Sequence, residues 1–383
     1  MDNRVFLKKV GGYDPDAIYE AIKEAFAALG IGKDDFCGKK VAIKPNLIMK
    51  YPPENAATTH PSVVRAVVRL LSEYGVRPVV AESPGGPYSS SRLAAIYRTC
   101  GMDTAADGLA DLNYDTSAVS VTYANGTALR TFNILKPIAD ADVILDLAKL
   151  KSHSLTKMTG AVKNLFGTVP GIEKFEMHAR FPDEKSFAAA ITDICSYLCE
   201  NKRVIAVTDA VMSMEGNGPT GGRPKKVGYV LVSNNPAASD AAGAGLIGFD
   251  GITIDETAAA RGMYGGRESL ELLGDAFEPV ADFAAPDSKK HGKVKLLTLL
   301  SEKRIGRYFK PRPAINAKKC VGCGECARSC PQHTIRIEKV GGKPRAIIGS
   351  GNCIRCFCCQ ELCPHVAIKT VRNPFITIFD ARK

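Results

Sequence analysis

Eight of the thirteen cysteines in this 383-residue chain repeat one spacing. Cys320, Cys323, Cys326, Cys330 and Pro331 write CxxCxxCxxxCP, and Cys353, Cys356, Cys359, Cys363 and Pro364 write it again. Three thiolates with two residues between each can wrap one face of an iron–sulfur cube, while a fourth must come from elsewhere. Zinc prefers two CxxC pairs per ion, so the doubled run speaks against it. A disulfide framework would need a short exported chain with dispersed pairs, and here the cysteines cluster. Cys358 adds a thiol between two members of the second run. It reads as a spectator that oxidants could attack.

A second concentration of reactive groups spans residues 149–171. Lys149-x-Lys151-x-His153 runs through Lys157 to Lys163 and Asn164. In extended backbone, residues two apart face the same side, so Lys149, Lys151 and His153 can point together at an anion. Lys163 and Asn164 would join them from a following helix, and a carboxylate or phosphate is the natural target. Cations beside His153 would lower its pKa and leave it able to exchange protons near neutrality. His60 and His178 are the other histidines before the basic segment described below, and a lone histidine is more often structural than catalytic.

The first 285 residues alternate short apolar runs with segments of helical period, which predicts an α/β class with a largely parallel, open, Rossmann-like sheet. Strands are expected at 4–8, 40–43, 77–81, 142–147, 203–207 and 227–232. Asp14-Pro15, His60-Pro61 and Asp183 read as helix starts, for helices reaching about Leu29, Gly75 and Glu200. Asn125-Gly126 reads as the turn of a hairpin. Ligands of open α/β sheets bind beyond the carboxyl ends of the strands. Those positions carry Lys44, Asn46, Glu82, Lys149, Lys151, His153, Asp209 and Glu215, so several could share one rim.

Residues 314–371 resemble a bacterial two-cluster ferredoxin, a small α+β unit of two pseudo-repeats. That resemblance implies two 4Fe-4S clusters with crossed ligation: Cys320, Cys323, Cys326 and Cys363 for one, and Cys353, Cys356, Cys359 and Cys330 for the other. Domain bounds are expected at 1–285, at 286–313 for a basic linker, at 314–371, and at 372–383 for a tail.

Most of the chain resembles the domain of unknown function 362 proteins, often fused to a ferredoxin-type module. The resemblance rests on Lys44-Pro45-Asn46, His60-Pro61, Glu82-Ser83-Pro84-Gly85, Lys149-x-Lys151-x-His153, Thr159-Gly160-x-x-Lys163-Asn164-x-Phe166-Gly167, His178 and Glu215-Gly216-x-Gly218-Pro219. It implies an iron–sulfur protein with an α/β domain and carries over no reaction.

Composition narrows the function classes. Nine Lys or Arg against Glu302 alone, within residues 288–312, account for +8 of the formal +11. The charge therefore belongs to one segment that reads as a solvated linker or a docking face for an acidic redox partner, ahead of nucleic acid or anionic lipid. No run approaches the apolar length of a membrane span and the first residues lack a signal-peptide order, so a cytoplasmic location is expected. Gly243-x-Gly245-x-x-Gly248 fits a dinucleotide fingerprint by letter but lies in an Ala-rich helical stretch. No phosphate loop or nucleophile elbow is present, so the sequence shows no recognisable NAD, ATP or flavin motif. Cys195 and Cys199 read as two buried thiols.

The leading expectation is an oxygen-sensitive oxidoreductase of anaerobic character. It would pass electrons from two 4Fe-4S clusters to a small anionic substrate or an unrecognised cofactor at the rim. Lys44, Lys149, Lys151 and Lys163 would hold the anion, His153 or His60 would supply a proton, and Glu82 or Asp209 would orient it, with Asn46, Asn164, His178 and Glu215 nearby. The alternatives are an electron-transfer or adaptor protein without chemistry of its own, and a non-redox enzyme with structural clusters.

Overall fold

Apolar runs bounded by turns build a sheet that is buried on both faces. The structure, a computed structural model, describes residues 2–289, 311–349 and 351–371. Its first strands are β1 (Arg4–Lys9), β2 (Val41–Pro45), β3 (Val79–Val80), β4 (Asp111–Leu112), β5 (Ala118–Thr122), β6 (Thr131–Leu135), β7 (Val143–His153), β8 (Lys157–Thr159), β9 (Arg203–Glu215), β10 (Arg223–Ser233) and β11 (Glu271–Gly274). The main sheet has the order β11-β1-β10-β9-β7-β2-β3-β4, with β8 paired to β7 off that path. Five of its pairs are parallel, and β1–β10, β9–β10 and β7–β8 are antiparallel. The class is α/β with a mostly parallel sheet. β5 and β6 form the separate hairpin that Asn125-Gly126 predicts.

Side-chain alternation along β7 assigns the two layers. Val143, Leu145 and Leu147 pack with the helices Pro15–Ala28 and Pro61–Glu73, while Ile144 packs with Glu184–Asn201 and Pro236–Leu246. The helix starts are capped as the sequence indicates. Asp14 accepts from Ala17 N at 2.9 Å, His60 Nδ1 from Ser62 N at 3.2 Å, and Asp183 from Ser186 N at 3.0 Å. Gly243 lies inside the helix Pro236–Leu246, where an added Cβ would stand 3.2 Å from Leu150 Cδ1, so close packing accounts for its lack of a side chain.

Two strands run further than the sequence pattern suggests. β7 continues through Lys149 and Lys151 to His153, and β9 through Asp209 to Glu215. Lysines and an aspartate normally end a buried strand pattern. Here Lys149 and Asp209 are parallel neighbours in register, and each satisfies the other.

The carboxyl-terminal module pairs β12 (Arg312–Ile315) with β15 (Ile368–Val371), and β13 (Ile335–Val340) with β14 (Lys343–Ile348). One-turn helices, Glu325–Arg328 and Cys358–Glu361, carry Cys326 and Cys359. Among the described residues the buried apolar side chains of its core are few, Ile335, Ala346, Ala367 and Ile368, packed among cysteines. Most of the basic linker, residues 290–310, and the tail, residues 372–383, lie outside the described residues. No helix among the described residues is long and apolar enough to cross a membrane.

Candidate functional site

Cationic side chains gather at the carboxyl rim, but most are spoken for by the protein itself. Lys44, at the end of β2, donates to Glu82 Oε2 at 2.6 Å, to Pro45 O at 2.8 Å and to Asn164 Oδ1 at 3.2 Å. Asn164 Nδ2 in turn donates to Asp146 Oδ1 at 2.7 Å and to Lys44 O at 3.0 Å. Lys149 donates to Asp209 Oδ2 at 2.8 Å and to the Tyr13 hydroxyl at 2.7 Å, and that hydroxyl donates to Asp209 Oδ1 at 2.8 Å. Lys151 donates to Asn46 Oδ1 and Ala57 O, both at 2.6 Å, and meets no carboxylate among these bonds. Burial pulls the Lys149 amine below its usual range, opposed by Asp209. It pulls Lys151 well below, reinforced by Lys163 and Lys149.

The expected open row of rim lysines is therefore corrected in part. Lys44, Lys149 and Lys151 are at most 2% exposed and form an internal network. Their strands carry them between layers instead of into solvent. Lys163 differs: it is half-buried, and its ammonium makes no hydrogen bond or ion pair with any described residue. Its surroundings are the Phe166 ring, 5.9 Å away, the Glu361 carboxylate and the Cys358 thiol.

Glu361 comes from the other domain. The helix Cys358–Glu361 lies on the rim, and Glu361 Oε1 stands 3.0 Å from His153 Nε2, close enough for an ion pair but without the angles of a hydrogen bond, so neither atom has a hydrogen-bond partner among the described residues. His153 Nδ1 accepts from Leu155 N at 3.1 Å and Thr156 N at 3.2 Å. The ring's proton therefore belongs on Nε2, the nitrogen nearer the carboxylate. Burial, with Lys163 adding to it and Glu361 opposing, lowers the His153 pKa to about 4. That corrects the expectation of proton exchange near neutrality: desolvation outweighs the modest effect of neighbouring cations, and the imidazole is neutral at pH 7. His178 is lowered to about 3, first by burial, and stacks on Phe187 at 4.1 Å with Nδ1 lacking a partner among the described residues. Burial raises the Glu361 carboxyl, but His153, Lys163 and His178 outweigh it and hold it below the usual carboxylate range.

The module is fixed there by further contacts. Leu362 packs with Met49, Tyr51, Ala57 and Met214. Tyr51 OH donates to Cys363 O at 3.2 Å, Thr220 Oγ1 to Glu361 O at 2.9 Å, and Gln360 Nε2 to Asn217 O at 3.4 Å.

Within the module, Cys320, Cys323, Cys326 and Cys363 line one cavity, and Cys330, Cys353, Cys356 and Cys359 line another. No three Cys, His, Asp or Glu side chains among the described residues converge closely enough to hold a single metal ion. Each set of thiols surrounds a space, as a cube requires. Backbone N–H groups of Thr334, Ala346 and Ala367 donate to Cys330, Cys320 and Cys363 sulfurs at 3.4, 3.4 and 3.2 Å. This donor set suits anionic thiolates and fits 4Fe-4S clusters. Cys358, 1% exposed, lines neither cavity.

The remaining candidates separate. His60 caps its helix, stacks on Tyr13 at 3.5 Å and donates through its backbone N to Asp209 at 3.0 Å, which places it with the Lys149 cluster. Burial lowers its pKa to about 4. Glu215 leaves the cluster altogether: Arg223 lies 2.6 Å from it and Ala284 N donates to it at 2.8 Å. Cys199, expected to be buried, is exposed in the last turn of Glu184–Asn201, 4.0 Å from buried Cys195. Its position opens on a cavity of about 590 Å³ lined by Tyr123, Asp193, Glu200 and Arg261, away from the lysines.

Sequence reasoning missed Glu361, Lys174, Tyr13 and Asp146. Lys174 donates to Ser83 O, and burial lowers it to about 7. Burial drives the Asp146 carboxyl well above its usual range. The one available signal was an acidic residue set among cluster cysteines, which says nothing about a contact with the other domain.

Comparison with known proteins finds a separate match for each part of the chain that carries these clusters. The family model described as Domain of unknown function (DUF362) matches residues 41–245, and a 4Fe-4S dicluster domain matches 319–367. The chain is 31% identical over 268 residues to the thylakoid-associated protein sll1697 of Synechocystis sp. (strain ATCC 27184 / PCC 6803 / Kazusa), covering 68% of this chain and 79% of that protein. A weaker structural likeness is to the lactate racemase apoprotein from Thermoanaerobacterium thermosaccharolyticum, with a TM-score of 0.37 at 14% identity over 62% of this chain and 56% of that one. With the rim cluster and the paired cysteine cavities, these matches show that the chain is an iron–sulfur protein of the DUF362 family with a 4Fe-4S domain at its carboxyl end.

Proposed function

We propose that this protein is an oxidoreductase whose 4Fe-4S domain serves a small anionic substrate, or an unrecognised cofactor, held at the rim of the α/β domain. In this reading residues 1–285 bind the anion and residues 314–371 hold two clusters, through Cys320, Cys323, Cys326 and Cys363 and through Cys353, Cys356, Cys359 and Cys330. The clusters supply single electrons when bound. The carrying observation is the 3.0 Å approach of Glu361, two residues from both Cys359 and Cys363, to His153 in the α/β domain. That contact sets the rim beside the segment that carries two of the cysteines expected to hold the clusters.

The chain's own residues divide the remaining work. Lys163, which bonds to no other described residue, holds negative charge on the substrate. His153 keeps a proton at Nε2, beside Glu361. The Lys44–Glu82–Asn164 and Lys149–Asp209–Tyr13 networks fix β2, β7 and β9 so that these two side chains keep their positions.

The test is a pair of variants, Lys163→Ala and His153→Ala, purified without air. Both should keep the wild-type iron content, near eight per chain for two cubes, and lose reoxidation of the reduced protein by the responding carboxylate or phosphate. Loss of iron in either variant would assign that residue a structural role instead. A second reading, an electron-transfer protein docking an acidic redox partner, is favoured by the internal neutralisation of Lys44 and Lys149. Reoxidation by added redox proteins but by no small anion would support it.

A further inference from the structure

Glu361 raises a question that module docking alone does not answer. Its side chain belongs to the 4Fe-4S domain, yet it is only 9% exposed and is placed among three α/β-domain groups: Lys163, His153 and His178. Remove that side chain in thought, and the space it fills is bordered by these three α/β-domain groups. One wall carries the Lys163 ammonium, which bonds to no described residue. Another carries the His153 Nε2 proton, and His178 Nδ1, buried and without a partner among the described residues, completes it. A half-buried ammonium beside a buried N–H donor is a costly arrangement unless an anion fills it.

We infer that this recess is a carboxylate-binding pocket and that Glu361 is its tethered occupant, displaced when a free carboxylate ligand binds. The inference rests on the function proposed above and narrows its substrate class. One ammonium and one N–H match the single charge and two oxygens of a carboxylate, whereas a phosphate dianion would leave charge uncompensated. The module need not leave for the exchange to occur. Leu362 in its apolar cluster, Tyr51 on Cys363 O and Thr220 on Glu361 O hold the backbone, so only the Glu361 side chain has to turn aside. A tethered competitor acts at an effective concentration of order millimolar, so it weakens any free ligand of lesser affinity and resets the pocket when that ligand departs.

The test uses the cluster-loaded full-length protein and acetate, which matches the atoms lost in Glu361→Ala. Acetate affinity, read by calorimetry at constant ionic strength, should be at least tenfold tighter in Glu361→Ala than in wild type. The gain should vanish in Glu361→Ala/Lys163→Met, and inorganic phosphate should show no comparable gain. Equal acetate affinity in wild type and Glu361→Ala, or a gain that survives loss of Lys163, would overturn the inference. Wild-type protein supplies an independent reading should the variant misfold. Infrared difference spectra of wild type labelled with 13C-glutamate should show a shifted glutamate carboxylate band with saturating acetate but not with chloride, and an unshifted band would count against displacement. Acetate binding without reoxidation by any carboxylate would keep the pocket and remove the redox reading. Substrate-driven reoxidation with unchanged acetate affinity would do the reverse.

Discussion

Replacing Lys44 by methionine separates a structural lysine from one that waits for substrate. The Lys44 side chain is fully buried, its Glu82 partner is 3% exposed, and 2.6 Å separates them. Lys44→Met would leave the Glu82 carboxylate with one backbone donor, Leu47 N at 3.2 Å, and with Lys174 nearby. Removing one partner of such a pair costs about 3–5 kcal/mol, because the remaining charge stays buried and uncompensated. Nearby Lys174 places the expectation at the lower end, about 3 kcal/mol, or roughly a hundredfold in the folding equilibrium. The double variant Lys44→Met/Glu82→Leu removes both charges and should recover most of that loss. Urea unfolding of the cluster-loaded proteins under argon, followed by circular dichroism, reads both values. A single variant within about 1 kcal/mol of wild type, or a double variant no better than the single one, would show that Lys44 is not bound into an internal pair and would return it to the list of anion ligands.

Three other outcomes follow from the same structure. The folded-state pKa of His178, about 3 against an ordinary 6.5, means that the unfolded chain binds the extra proton. Its contribution to stability is present above pH 6.5 and is lost as pH falls toward 3, with a slope that averages about 1 kcal/mol per pH unit between pH 7 and 5, approaches about 1.4 at the lower end, and should disappear in His178→Phe when unfolding free energies are compared over that range. Gly167→Ala would place a Cβ 2.6 Å from Lys44 Nζ and 2.9 Å from Glu82 Oε1, so a loss of about 1–3 kcal/mol is expected in the same unfolding assay, and a neutral result would mean that the pair yields easily. Removing iron with a chelator should unfold residues 311–371 and leave the α/β core intact, because the small module has little apolar burial to sustain it. Hydrogen exchange resolves the two regions, and protection persisting in β13 and β14 would refute metal-dependent folding.

Much of the fold could be read from local pattern. Caps at Asp14, His60 and Asp183 state their helices, and six apolar runs mark the centre of the sheet, because the signals for both lie within a few residues. The thiol sets were equally legible: spacing groups three sulfurs of each run, and the resemblance to a two-cluster ferredoxin implies the crossed fourth. What stayed hidden depends on contacts between distant segments. β7 and β9 extend past residues 147 and 207 because Lys149 and Asp209, 60 positions apart, neutralise one another. The same pairing converts apparent ligands into internal supports. Glu361 could not be assigned to the α/β site at all, because nothing local distinguishes a carboxylate turned toward solvent from one turned into a neighbouring domain.

The decisive measurement is electron paramagnetic resonance of the reduced, cluster-loaded protein before and after addition of individual small carboxylates and phosphates without air. The expected result is loss of the reduced-cluster signal with a restricted set of carboxylates, abolished by Lys163→Ala at unchanged iron content. A signal that persists with every small anion yet collapses on addition of an acceptor protein would contradict an active site at this rim and leave the molecule an electron carrier.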